Sequence, residues 1–375
     1  MDLEKEAAYI LPLLVFLTYS TLYLYPDVFN DISRDGDINE WMREVEHQTV
    51  LEFFNPLPQA GTTATSTYYR PIQKIIWKIQ MDTWGEYSSN YRIYWILIHN
   101  ITAAMVYLLC RKLSLERGTA LLSSALFFTL RPNIGIVKHE IAMAGHGLAA
   151  IFFIMTLVFF IDYLRKGTLK AYAGSFVFFV LAVLTSESVI TLFVILMALH
   201  LFLQPRDDLD LKKSFRVHSP FIVLSLLLMF FSALRYPIGF VANNWGGSYF
   251  GTYTVTRLLD YLTLLVYPFS QTEFMKLVLL NVVVVVACVS LLTFKGVDRF
   301  LVLWVIICLL PFSFSNFRPI ESLWRYIYQS SIAFAILTSK SVVELFSKRK
   351  VTLLSIYSLV YWAVNIGFVT KLIEG

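Results

Sequence analysis

"AAIFFIMTLVFFIDYL", residues 149–164, carries no charge before Asp162 and no glycine or proline. With the small and apolar residues before Ala149 it reaches the length of a membrane-spanning helix, for which a bilayer core needs roughly 20 residues. Similar runs recur along the chain. Reading outward from 143–163, apolar spans fall at 8–25, 91–110, 118–130, 171–185, 188–203, 217–234, 275–294, 299–314, 325–339 and 351–371. The 375 residues are 57% hydrophobic and 15% charged, with a mean hydropathy of +0.64. Soluble chains average roughly 25% charged residues. The expected fold is an all-α polytopic membrane protein of about 11 transmembrane helices, forming one domain over 1–375. No internal repeat, low-complexity tract or linker marks a second one.

The formal charge of +5 is spread over short clusters between apolar runs, the pattern of positive-inside loops and not of a nucleic-acid-binding face. Cys110, Cys288 and Cys308 all lie in apolar runs, which supports neither a disulfide framework nor a zinc site. "AAYILPLLVFLTYSTLYLY" at 7–25 lacks a cationic leader and a small-residue cleavage site, so it reads as a retained first span. The segments "CRKLSLERG", "LRKGTLK", "QPRDDLDLKKSFR", "TFKGVDR" and "FSKRKV" then share one side, and their Lys and Arg content makes it cytoplasmic. The amino terminus is expected inside and the carboxyl terminus outside. The run 256–269 would invert every later loop if it spanned, so it reads as interfacial or re-entrant. The external segments are 26–90, 131–140, 185–188, 235–273 and 315–325.

The first external loop is acidic. Residues 27–52 hold eight of the chain's 26 carboxylates: Asp27, Asp31, Asp35, Asp37, Glu40, Glu44, Glu46 and Glu52. "DGDINEWMREV" reads as a turn at Asp35-Gly36 and then a helix capped by Asp37, with Glu40 completing a capping box. Ile38, Trp41, Met42 and Val45 share one face, as in a helix lying on a membrane. Asp37 reads either as an N-cap among solvated acids or as a general base toward an acceptor hydroxyl. In the second case another carboxylate orients it or shares a metal.

"STYYRPIQKIIWKI", residues 66–79, reads as a second interfacial helix. Pro71 suits its first turn. Ile72, Ile75, Ile76 and Ile79 form a stripe, with Lys74 and Lys78 off it. Arg70 precedes the helix and is suited to a lipid phosphate, or to snorkelling toward headgroups in general.

Two membrane-parallel helices in a long acidic first loop, followed by many spans, resemble the GT-C class of membrane glycosyltransferases. The order of motifs is similar to the transmembrane O-mannosyltransferase group whose eukaryotic members add tetratricopeptide repeats, which are absent here. Asp35 and Asp37 followed by Tyr69, Arg70, Pro71 and Ile72 resemble that group's acidic pair and "YRPL" stretch. His99 fits its span histidine, with Trp95 at the usual asparagine. "RPNIGIVKHEIAMAGHG" parallels "HPVH.E" with Arg131 and Ile136 substituted, His146 at the acidic position and Glu140 as the remaining carboxylate. "TSES" keeps Glu187 of a Lys-Glu pair, with Ser186 for the lysine. Arg235 ends a span as in that group. "LWRYIYQSS" resembles "ERYLYLPS", keeping Arg325, Tyr326 and Tyr328, with Trp324 and Ser330 substituted.

The resemblance implies inverting transfer of a mannose-like sugar from a polyprenyl-phosphate donor to a hydroxyl of a protein or glycan acceptor on the extracytoplasmic face. It implies Asp37 or Asp35 as base with Asp31 nearby, and Arg70, Arg235, Arg318 and Arg325 on the donor phosphate. Tyr69, His99, Glu140, His146, Glu187 and Tyr326 are further cavity candidates. Arg318 and Arg325 read equally as partners of Glu321, and Glu187 as a helix cap. No cofactor besides the lipid donor is implied with certainty, and a divalent cation stays open. The compact chain favours a prokaryotic plasma membrane over an endoplasmic reticulum. Two alternatives remain: a non-catalytic scaffold that binds lipid-linked sugar, and a transporter, which usually shows paired broken repeats.

Overall fold

The computed structural model describes residues 3–24, 45–56, 69–85, 90–130, 132–134, 143–203, 211–235, 252–266, 296–314 and 325–348, with 356, 359 and 361. It is all-helical, with no strand among the described residues. The helices are α1 (Leu3–Leu24), α2 (Pro71–Trp84), α3 (Asn90–Lys112), α4 (Arg117–Thr129), α5 (Leu148–Lys166), α6 (Leu169–Thr185), α7 (Leu192–Leu203), α8 (Leu211–Arg235), α9 (Thr252–Val266), α10 (Val297–Ser313) and α11 (Tyr328–Lys348). Four segments are long and apolar enough to cross a membrane: Asn90–Lys112, Gly145–Lys166, Ser214–Phe231 and Arg325–Ser347. This is the composition of a membrane protein, because a bilayer tolerates backbone only where its hydrogen bonds close within the segment.

Small and hydroxylated residues set the helix contacts. A Cβ added to Gly174 of α6 would meet the Phe159 ring of α5 at 2.8 Å, so only glycine allows that approach. Ser175 Oγ donates to Thr156 O across the same pair at 3.0 Å, and Ser124 Oγ of α4 donates to Ala103 O of α3 at 2.6 Å. The α5–α6 turn is made by Gly167, whose φ of 66° is the left-handed cap geometry that glycine adopts without strain. Between α7 and α8, His200 Nδ1 and His218 Nε2 lie 2.8 Å apart. On the outer face of α8, Phe215 (70% exposed), Val223 and Phe230 point away from the protein. Apolar side chains suit that position when the surroundings are lipid.

Ion pairs sort the helix ends. Glu6 at the start of α1 accepts from Tyr107 Oη at 2.6 Å and from Arg111 of α3 at 3.1 and 3.2 Å, and Arg117 of α4 lies 3.6 Å away. Lys112 reaches Asp162 near the end of α5 at 2.5 Å, and Lys340 of α11 reaches Asp298 at the start of α10 at 2.8 Å. At the other end, His99 Nδ1 meets Tyr328 Oη at 2.8 Å and His99 Nε2 meets Phe128 O at 3.2 Å. So α1, α4, α6 and α10 run from the charged end, and α3, α5 and α11 run back toward it. The starts of α2, α5, α7 and α11 meet at the opposite end.

Burial opposes the Glu6 charge, but Tyr107 and Arg111 outweigh it and hold the carboxyl below its usual range. Its contribution is therefore complete above an unfolded pKa of about 4.3 and is lost as the pH falls through the lower folded value. Glu6→Gln is expected to cost about 2 kcal/mol at neutral pH, the scale of hydrogen bonds to a charged group. Melting of the purified protein against pH checks this: the gap between wild type and variant should close only below about pH 4.

Candidate functional site

The helix α2 starts at Arg70 with Pro71 in its first turn and stops at Gly85. It carries the predicted isoleucine stripe, with Ile79 56% exposed and Ile72, Ile75 and Ile76 half-buried against the core. Its inward face is Gln73, Lys74, Trp77, Gln80 and Met81, all buried. The buried side therefore brings two amides and a lysine into the protein interior beside Trp77 and Met81. Lys78 anchors the outer loop by reaching Val45 O and Glu46 O at 3.5 and 3.3 Å.

The Arg70 guanidinium forms a two-point pair with Glu187: Nε to Oε2 at 2.6 Å, and Nη2 to Oε1. Arg70 Nη1 also lies 3.4 Å from Gln73 Oε1. Glu187 sits in the short turn Glu187–Val189 between α6 and α7. The cap there is Ser186, whose Oγ accepts from Ser188 N at 3.3 Å, so the Glu187 carboxylate is left to Arg70. Burial raises the Glu187 carboxyl pKa, the Arg70 charge outweighs it, and the carboxyl stays below the ordinary range.

Three more elements close around this pair. The π-helical turn Met143–Gly147 leads into α5 and brings His146 in, 3% exposed. Gln329 of α11 donates to His146 O at 3.4 Å and to Ser188 Oγ at 3.3 Å. Arg325 lies over the Tyr326 ring at 5.1 Å and reaches its hydroxyl at 3.3 Å. Its charge bears on both Glu187 and His146, and among the described residues no carboxylate forms an ion pair with it. Tyr326 stacks on Phe312 at 4.2 Å and meets the His146 ring edge-on at 5.8 Å, which gives the site an aromatic wall. Gln73 Nε2, His146 Nδ1 and Gln329 Oε1 are buried without a hydrogen-bond partner among the described residues.

At Gly145 this turn leaves little room beside α2. A Cβ there would meet Gln73 Oε1 at 3.2 Å and Arg70 Nη1 at 3.5 Å. Gly145→Val should therefore push both side chains aside and cost about 2 kcal/mol, the scale of overpacking. Gly145→Ala should be felt less, and denaturation midpoints of the two variants check the ranking.

Of the residues singled out in the sequence, Arg70, His146, Glu187, Arg325 and Tyr326 come together here. Tyr69 turns away, with its hydroxyl donating to Phe54 O at 3.3 Å and its ring against Phe231. His99 has both ring nitrogens occupied by Tyr328 and Phe128 in the core, a helix-joining role. Arg235 ends α8, and its side chain lies outside the described residues, as do Asp31, Asp35, Asp37, Glu140 and Arg318. Among the described residues, no group of three or more His, Cys, Asp or Glu could hold a metal ion. Gln73, Ser188 and Gln329 were not legible as site residues. The available signal was the Gln73–Gln80 spacing opposite the isoleucines, and an amide inside an apolar span. No family model, curated protein or solved structure matches the chain.

Proposed function

We propose that the protein is a polytopic membrane glycosyltransferase of GT-C type that takes a sugar from a polyprenyl-phosphate donor and passes it to a hydroxyl of a protein or glycan. In this reading about 11 spans cross a prokaryotic plasma membrane. The end rich in Lys and Arg faces the cytoplasm with the amino terminus, and the Arg70–Glu187 end faces outward. The observation that carries the reading is the meeting of two guanidiniums at this end of the bundle: Arg70 pairs with Glu187, and among the described residues no carboxylate forms an ion pair with half-buried Arg325, whose charge also bears on Glu187. An ionisable group inside a membrane domain is costly and points to function, and a guanidinium beside an aromatic wall suits an anionic ester on an apolar chain.

The chemistry would run as follows. Asp37, or Asp35 beside it, takes the proton of the acceptor hydroxyl, and the freed oxygen forms a bond to the anomeric carbon from the face opposite the phosphate. The bond from that carbon to the phosphate oxygen breaks, and its electron pair leaves on the polyprenyl phosphate, whose charge Arg325 stabilises. A second reading, a binder of lipid-linked sugar without transfer, draws on the neutralisation of Arg70 by Glu187, which leaves Arg325 as the cation available to the phosphate.

Binding of polyprenyl phosphate to the protein in nanodiscs tests the shared part of both readings. Arg325→Gln should weaken it about tenfold, the loss of one charge-assisted contact, with an unchanged melting temperature because no ion pair among the described residues is broken. Unchanged affinity would remove the phosphate from this site.

A further inference from the structure

The hydrogen-bonding complement left over at the site describes a ligand more closely than its charge does. Three buried side chains, Gln73, His146 and Gln329, each keep one polar atom without a partner among the described residues, and all three are at most 3% exposed. They belong to one neighbourhood: Gln73 Oε1 lies 3.4 Å from Arg70 Nη1, Gly145 beside His146 abuts Gln73, and Gln329 Nε2 lies 3.4 Å from His146 O. Gln73 offers a donor, Gln329 an acceptor, and His146 Nδ1 either one according to its tautomer.

That mixture excludes most occupants. A phosphate has only acceptors, so it would leave Gln329 Oε1 unpaired and facing like charge. A prenyl chain would leave all three atoms unpaired, at the full desolvation penalty of each. A metal ion would face the Gln73 amide donor. Hydroxyl groups donate and accept at once, and several of them on one rigid ring match the complement. The open side of the site is marked by Glu187, whose side chain is 29% exposed, and by half-buried Arg325 and Tyr326.

We infer that Gln73, His146 and Gln329 form the subsite for the sugar ring of the donor, separate from the arginine that takes its phosphate. This rests on the reading of the site as one for a lipid-linked phosphate ester. It adds that recognition extends to the polyol through two neutral amides and an imidazole: Gln73 just after the "YRPL"-like stretch, Gln329 within "LWRYIYQSS", and His146 where a carboxylate is usual.

The test compares two probes on the full chain in nanodiscs, polyprenyl phosphate and polyprenyl-phosphate mannose, with affinities read by native mass spectrometry. The mannose lipid should bind at least tenfold tighter than the bare lipid phosphate to the wild type, because a site built to hydrogen-bond hydroxyls rejects a ligand lacking them. Gln329→Leu and His146→Phe should erase that preference and leave the affinity for the bare phosphate within about twofold. His146→Asn, which retains a polar atom near Nδ1, should restore a preference of several-fold, and this variant distinguishes a lost contact from a damaged fold. Equal binding of the two probes by the wild type, or a preference that survives Gln329→Leu and His146→Phe, would overturn the subsite and mean that water bridges these atoms. The phosphate reading would still stand in that case. Failure of the wild type to bind either lipid would overturn both.

Discussion

Arg70→Met alone is expected to destabilise the protein by about 3 kcal/mol, and adding Glu187→Gln is expected to recover most of that loss. Truncating one member of a buried ion pair leaves the other charge without compensation, which typically costs about 3–5 kcal/mol. The lower figure applies here because Glu187 keeps 29% of its side-chain exposure and water screens part of its charge. Replacing both partners removes the orphaned charge, and such double replacements are often near neutral. Denaturation midpoints of the wild type, both single variants and the double variant give the coupling directly. A double variant no more stable than Arg70→Met would mean that the two side chains do not hold each other. The same pair also sets the geometry of the site, since Arg70 carries Gln73 and fixes the start of α2 against the turn between α6 and α7.

Asp37→Asn is expected to lower sugar transfer at least a hundredfold without changing the binding of the donor. A positioned general base contributes typically 10²–10⁴ to a rate, and an amide of the same shape cannot take the proton. The donor makes its proposed contacts elsewhere, through Arg325 and the amides, so the change belongs in the rate at saturation and not in the affinity. If the loss falls on Asp35→Asn instead, the base is its neighbour two residues upstream. If neither change matters, the acidic loop is a solvated cap, the other reading of its sequence.

The parts of this protein that the sequence made legible are those governed by a repeating physical rule. Apolar runs marked helices, because a bilayer sets the length of such runs: α3 over Asn90–Lys112, long and apolar enough to cross a membrane, and the shorter α6 over Leu169–Thr185 lie close to where hydropathy put them. Charge clusters marked one end because Lys and Arg gather there, as Arg111 and Arg117 do around Glu6 and Lys112 does at Asp162. Arg70 and Glu187 could each be named, but 117 positions separate them, and nothing in either local pattern says that they meet. The isoleucine spacing marked α2 as an amphipathic helix, but it did not announce what the buried side would carry, which is Gln73, Lys74 and Gln80 beside Trp77 and Met81. Gln73 and Gln329 escaped notice because a single amide has no charge or spacing to announce it, and its meaning lies in which atoms remain unpaired after folding.

Transfer of labelled sugar from a panel of polyprenyl-phosphate sugars, by purified protein in liposomes supplied with hydroxyl-bearing peptide and glycan acceptors, tests the central claim most directly. The account predicts transfer from at least one donor, with inversion at the anomeric carbon, and its loss in Asp37→Asn or Asp35→Asn. No transfer from any donor, together with tight donor binding that neither substitution changes, would contradict it and leave a protein that holds lipid-linked sugar without reacting it.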